Sequence, residues 1–152
     1  MSFRITGLPA ENFAHLFGLP GEDLAARGAQ RRIAESAYPC RVSLTDCRPG
    51  DEVLLVNYEH HAVESPYRMR FAIYVRKGDR TYNKIDEVPD QLRSRTLAVR
   101  AFDAKGMMLG HELVHGRDLE GAIERLFQAA EAEYLHVHFA APGCYAARVL
   151  RA

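Results

Sequence analysis

Gly110-His111-Glu112-Leu113-Val114-His115-Gly116 has the letters of a zinc-protease helix and the setting of a β-strand. In a helix, residues i and i+4 share one face, so two imidazoles can reach one Zn²⁺ while the glutamate acts as base. On a strand the same histidines stand about 13 Å apart along the chain, too far to share a metal. The flanks decide between the two. The stretch is bracketed by Gly110 and Gly116, follows a turn at Ala104-Lys105-Gly106, and precedes a separate helix capped at Asp118. Too little chain is left for a helix of several turns. The stretch reads as a strand, and a metalloprotease is disfavoured.

Its partner lies just upstream. Thr96 to Asp103 alternates Leu97, Val99 and Ala101 with Ala98, Arg100 and Phe102, and the short turn after it makes a hairpin. Downstream, Leu119, Ala122, Ile123, Leu126, Phe127 and Ala130 recur at helical spacing, which predicts one long helix over about 118–133 docked on the sheet. Two strands close the chain: Tyr134 to Phe139, with Leu135, Val137 and Phe139 as its core face, and Tyr145 to Leu150 after the Ala141-Pro142-Gly143 turn.

Upstream, Phe71 to Arg76 and the dense apolar run Val53 to Tyr58 read as strands, the second of them central; Cys40 to Leu44 reads as another, and Phe3 to Thr6 as a short edge strand. Short helices are expected after Pro9 and over Pro20 to Gly28, while the segment to Ala37 stays ambiguous. The expected fold is α+β: a mainly antiparallel sheet with helices on one face, as a single domain over 1–152 with one core.

Composition narrows the function classes. Twenty basic residues balance 20 acidic ones, so no net field draws in a phosphate backbone or an anionic bilayer, and neither nucleic acid nor membrane is an expected partner. No segment has the length and apolarity of a membrane span or a signal peptide, which predicts a cytoplasmic protein. Cys40, Cys47 and Cys144 cannot all pair within one chain, and a reducing compartment leaves them as thiols. Self-association is left open, and no cofactor is named by any motif.

Two constellations carry chemistry. His136 and His138 alternate on a strand, about 7 Å apart at Cα, close enough to chelate a metal. Cys144, just past the turn, could approach His138 as a third ligand or an activated thiol, although solvent is the default surrounding for the two histidines and a buried inert thiol the commoner fate of such a cysteine. Separately, Arg41, Arg68, Arg100 and Arg148 sit on or beside expected strands, and an arginine facing a cleft suits a carboxylate or phosphate. The loop from Tyr58 to Arg70 is the segment expected to line that cleft.

The blocks Tyr38-Pro39-Cys40-Arg41, Leu54 to Tyr58, Ser65-Pro66-Tyr67, Ile73-Tyr74-Val75 and Arg100 to Asp103, with the closing His136-Val137-His138, Gly143-Cys144 and Arg148, resemble the bacterial family catalogued as domain of unknown function 1203. The resemblance covers nearly the whole chain. It implies that any shared site lies among His136, Gly143, Cys144, Arg148, Cys40, Arg41, Tyr58 and Tyr67. The leading expectation is a small, anionic ligand held by Arg41, Tyr58, Tyr67, Arg68, His136, His138, Cys144 and Arg148. The alternative is a metal- or thiol-dependent enzyme using His136, His138 and Cys144.

Overall fold

The computed structural model describes residues 1–152. Nine strands form two antiparallel sheets. The larger has six strands in the order β5 (Asn83–Ile85), β1 (Phe3–Thr6), β9 (Tyr145–Arg151), β8 (Tyr134–Phe139), β6 (Thr96–Phe102) and β7 (Met108–His115). The smaller has three: β2 (Ala29–Ile33), β3 (Glu52–His61) and β4 (Met69–Arg76). The helices α1 (Gly21–Ala26), α2 (Asp90–Arg93) and α3 (Leu119–Leu126) are short, and the segment after Pro9 forms two 3-10 turns. The fold is α+β, and no helix is long and apolar enough to cross a membrane.

Two sheets bring two apolar clusters where one core was expected. Leu97, Val99, Leu135, Val137 and Val149 on one face of the large sheet pack with Leu92, Leu119 and Ile123. Around the small sheet, Val53, Leu54, Val56, Ile73 and Val75 pack with Leu8, Phe13, Leu16 and Leu24, and Tyr145 reaches this second cluster from the large sheet. Strand β1 is not an edge: it lies between β5 and β9, which satisfies its backbone on both sides. The ambiguous segment before Ala37 contains β2, whose ladder with β3 makes β3 central, as its apolar density predicts.

Three expectations need correction. The long helix over 118–133 is a three-residue 3-10 turn, Gly116–Asp118, followed by the eight residues of α3. Beyond it the carbonyls of Phe127, Ala129 and Ala132 turn to accept from Arg151 Nη2, and Glu133 N–H donates to Phe102 O, so the backbone bonds that would extend the helix go elsewhere. Asp118 makes no side-chain cap; His115 Nδ1 instead accepts from Arg117 N at 3.3 Å. Cys40 to Leu44 is a turn. Its alternating apolar residues are buried as a strand's would be, but Leu44 N–H returns to Cys40 O and Leu44 takes φ 54, held in that rare conformation by a side chain only 1% exposed.

The stretch His111 to His115 is extended, as its flanks require. Gly116 is needed for a reason the sequence hides: a Cβ there would lie 1.8 Å from Leu92 O and 2.7 Å from Arg93 Cα, backbone atoms of α2. Gly110 has room, since its Cβ would meet only Leu126 Cδ2 at 3.6 Å. Gly116→Ala is therefore expected to lower the urea-unfolding free energy by about 2–3 kcal/mol, and Gly110→Ala by far less. Equal losses in the two variants would show that α2 yields without cost.

Candidate functional site: a histidine-lined cleft between the sheets

One face of β8 packs into the first cluster, as expected. Its other face is also closed off: Tyr134, His136 and His138 are buried, with His136 4% and His138 1% exposed. The default of solvent-facing histidines fails because the end of β3 and the loop after it lie across this face. Register places Arg100 opposite His136 and Ala98 opposite His138, and Arg148 opposite His136 on the other side.

The β3–β4 ladder slips between Tyr58 and His61. Such a bulge breaks the alternation of side chains, so consecutive residues can turn to one side. His60 and His61 both do, and with Pro66, Tyr67, Arg68, Met69, Arg100, Phe102, Met108, His136 and His138 they line a cleft of about 180 Å³. Ring centroids lie 4.9 Å apart for His61 and His136, 5.4 Å for His60 and His138, and 6.4 Å for His136 and His138. His60 stacks on Tyr145 at 4.9 Å.

Hydrogen bonds define what these rings present. A carbonyl oxygen only accepts, so His61 Nδ1 donates to Tyr67 O at 2.8 Å; in the neutral ring Nε2 then accepts from the Tyr134 hydroxyl at 2.7 Å. His138 Nδ1 likewise donates to Gly143 O at 3.0 Å. Nδ1 of His136 and Nδ1 of His60 are buried without a partner. Burial, with minor help from like charges, holds His138 down to about 3 and His60 down to about 4, and pushes His136 well below the usual imidazole range. At neutral pH these three rings are uncharged.

Two arginines, Arg68 and Arg100, stand on the cleft wall. Arg68 at the mouth pairs with Glu59 at 3.1 Å and is mostly exposed, an arrangement worth little energy. Arg100 is half-buried, with its pKa lowered by burial, and touches no carboxylate; its side-chain contact is Met69 Sδ at 3.7 Å. No Asp or Glu lines the cleft.

The family model described as Protein of unknown function (DUF1203) matches residues 37–151. The chain belongs to this family. No curated protein and no solved structure matches the chain. The part of the chain that matches DUF1203 contains every residue lining the cleft, whereas β1, α1 and β2 lie outside it.

Of the residues singled out from sequence, Tyr67, Arg68, Arg100, His136 and His138 meet in this cleft. The others are placed elsewhere. Arg41 is 2% exposed and braces the two sheets, donating to Tyr145 O at 2.8 Å, Pro39 O at 2.6 Å and Cys144 Sγ at 2.9 Å. Cys144 thus faces Arg41, and no three His, Cys, Asp or Glu side chains are arranged to hold a metal ion. Tyr58 packs on Phe13 and its hydroxyl accepts from Asn12 Nδ2. Arg148 is exposed, with its guanidinium 4.5 Å from the Tyr134 ring centre. On β7, Glu112 points to Arg125 at 2.7 Å, away from any work with His111 and His115.

Sequence reasoning named Arg100 among the arginines suited to a cleft and the Tyr58 to Arg70 loop as its lining, but it did not single out His60 and His61 or place Arg100 in the ligand set. The His-His pair within the loop expected to line the cleft was a signal, although adjacent histidines on a regular strand face opposite ways and only the bulge turns both to one side. Arg100 carried a weaker one, in that the hairpin alternation put it on the face opposite Leu97 and Val99.

Proposed function

We propose that the cleft binds a small anionic molecule, with Arg100 as its main anchor. The observation that carries this reading is a half-buried guanidinium without a carboxylate partner, in a cleft with no acidic side chain. A buried charge without its counterion is costly unless something else satisfies it, and an incoming oxyanion can accept its fork of N–H donors. The neutral imidazoles around it can add hydrogen bonds without adding charge. A volume of about 180 Å³ is below the roughly 300 Å³ where drug-sized ligand pockets begin, so a ligand of a few non-hydrogen atoms fits best. Three buried, unpaired thiols and a zero net charge suit a cytoplasmic bacterial protein that engages neither nucleic acid nor membrane.

Thermal-shift and calorimetric titration of the full chain with acetate, glycolate, phosphate and sulfate tests the reading. At least one of these anions is expected to stabilise the protein, and Arg100→Ala is expected to weaken its binding about 10- to 100-fold, the loss of charge-assisted hydrogen bonds. The unliganded variant should melt near the parent, since Arg100 makes little contact within the fold. Unchanged affinity in Arg100→Ala, or no response to any anion, overturns the proposal.

A further inference from the structure

The polarity of the ring nitrogens in the cleft says more than that an anion binds. His138 commits its Nδ1–H to the Gly143 carbonyl, so in the neutral ring Nε2 is a bare lone pair, the nitrogen left to the cleft that this residue lines. His136 seals Nδ1 without any partner. An orphaned acceptor is tolerated more readily than an orphaned N–H, which places the His136 proton on Nε2 as a donor. Two residues apart on one strand, the same face therefore offers one donor and one acceptor, with Arg100 directly across from the donor. A fully deprotonated oxyanion satisfies Arg100 and His136 but sets its own lone pairs against that of His138.

Resting on the anion reading, we infer that the ligand is an oxyanion that carries its own hydroxyl, a small hydroxycarboxylate or a hydrogenphosphate, with the hydroxyl donating to His138 Nε2. In both chemistries a hydroxyl and an acceptor oxygen are close neighbours. With a hydrogen bond of about 2.8 Å at each end, such a pair of oxygens has the reach to span two rings whose centres are 6.4 Å apart. The acceptor state of His138 persists through neutral pH, because burial holds its pKa down to about 3. A site built to pair a ligand hydroxyl rejects the analogue lacking one, since its polar group is left unsatisfied.

Matched pairs provide the test. Glycolate and acetate differ by the hydroxyl, as do phosphate and sulfate near pH 7, where phosphate retains a proton and sulfate does not. Calorimetry on the full chain should show at least a tenfold preference for the hydroxylated partner within one pair, and the pair that shows it identifies the source. In His138→Met that preference should fall to near parity while affinity for the aprotic partner is kept. Should that variant fail to fold, the ¹⁵N resonance of His138 Nε2 in the parent protein serves instead: it should report a bare nitrogen and move on adding the hydroxylated partner. Equal affinity within both pairs overturns this inference and leaves the anion reading standing. Silence from all four overturns both.

Discussion

Arg41→Ala is expected to lower the unfolding free energy by about 4 kcal/mol, measured by urea denaturation. Its guanidinium is almost wholly buried, with its pKa lowered by that burial against the opposing effect of Cys144, and it has no carboxylate partner. Two backbone carbonyls, Tyr145 O on β9 and Pro39 O beside the small sheet, accept from it, whereas the backbone N–H of Arg41, which alanine retains, donates to Tyr74 O on β4. The guanidinium also lies 4.9 Å from the centre of the Phe139 ring. Truncation leaves buried acceptors unsatisfied, each at about 1–3 kcal/mol, and opens a cavity at the junction of the sheets. Arg41→Met refills most of the volume without the donors and should recover only part of the loss. A cost below about 1 kcal/mol in Arg41→Ala would mean that the sheets do not depend on this brace.

Acidification is expected to unfold the protein well above the pH at which its carboxylates are lost. His138 and His60 have folded pKa values of about 3 and about 4 against an unfolded 6.5, and His136 is depressed as well. Below 6.5 the unfolded chain binds protons that the folded one refuses, so stability falls as pH falls. The stabilisation is fully present above about pH 6.5 and is lost progressively toward pH 3. His138 alone contributes on the order of 3 kcal/mol between pH 6.5 and 4, at about 1.4 kcal/mol per unit, a large share of a stability of roughly 5–15 kcal/mol. Neighbouring Arg100 and Arg148 add to the penalty for charging these rings. Urea midpoints followed from pH 7.5 to 4 check it: a flat profile through pH 5 would contradict the buried, neutral rings. His138→Phe should flatten the curve.

The strands were largely legible because period-two alternation and turn residues are local signals. Leu97-Val99-Ala101 set against Arg100, the Ala104-Lys105-Gly106 turn and Leu135-Val137-Phe139 led to the observed hairpin and its neighbour β8. The same rule misread Cys40 to Leu44, where three alternating buried residues belong to a turn, since burial by the surrounding fold produces the same pattern as a ladder. It overextended α3 because Phe127 continues the apolar repeat while the backbone carbonyls beyond it are taken by Arg151, 19 to 24 residues away in the chain.

The extended conformation of His111 to His115 was determined by sequence alone. Two glycines, a preceding turn and the brevity of the chain before the next element left room only for a strand, and a strand separates the imidazoles. The cleft could not be read in this way. It depends on a bulge that turns His60 and His61 together, on the small sheet lying across the polar face of β8, and on which ring nitrogens find carbonyl partners. The rings brought together, such as His60 and His136 or His61 and His136, lie more than 70 positions apart in the chain, and local periodicity carries no information about which surfaces meet. Tertiary contact therefore decided that His136 and His138 face a buried, acid-free cleft beside Arg100, and that Arg41 and Cys144 hold the sheets together.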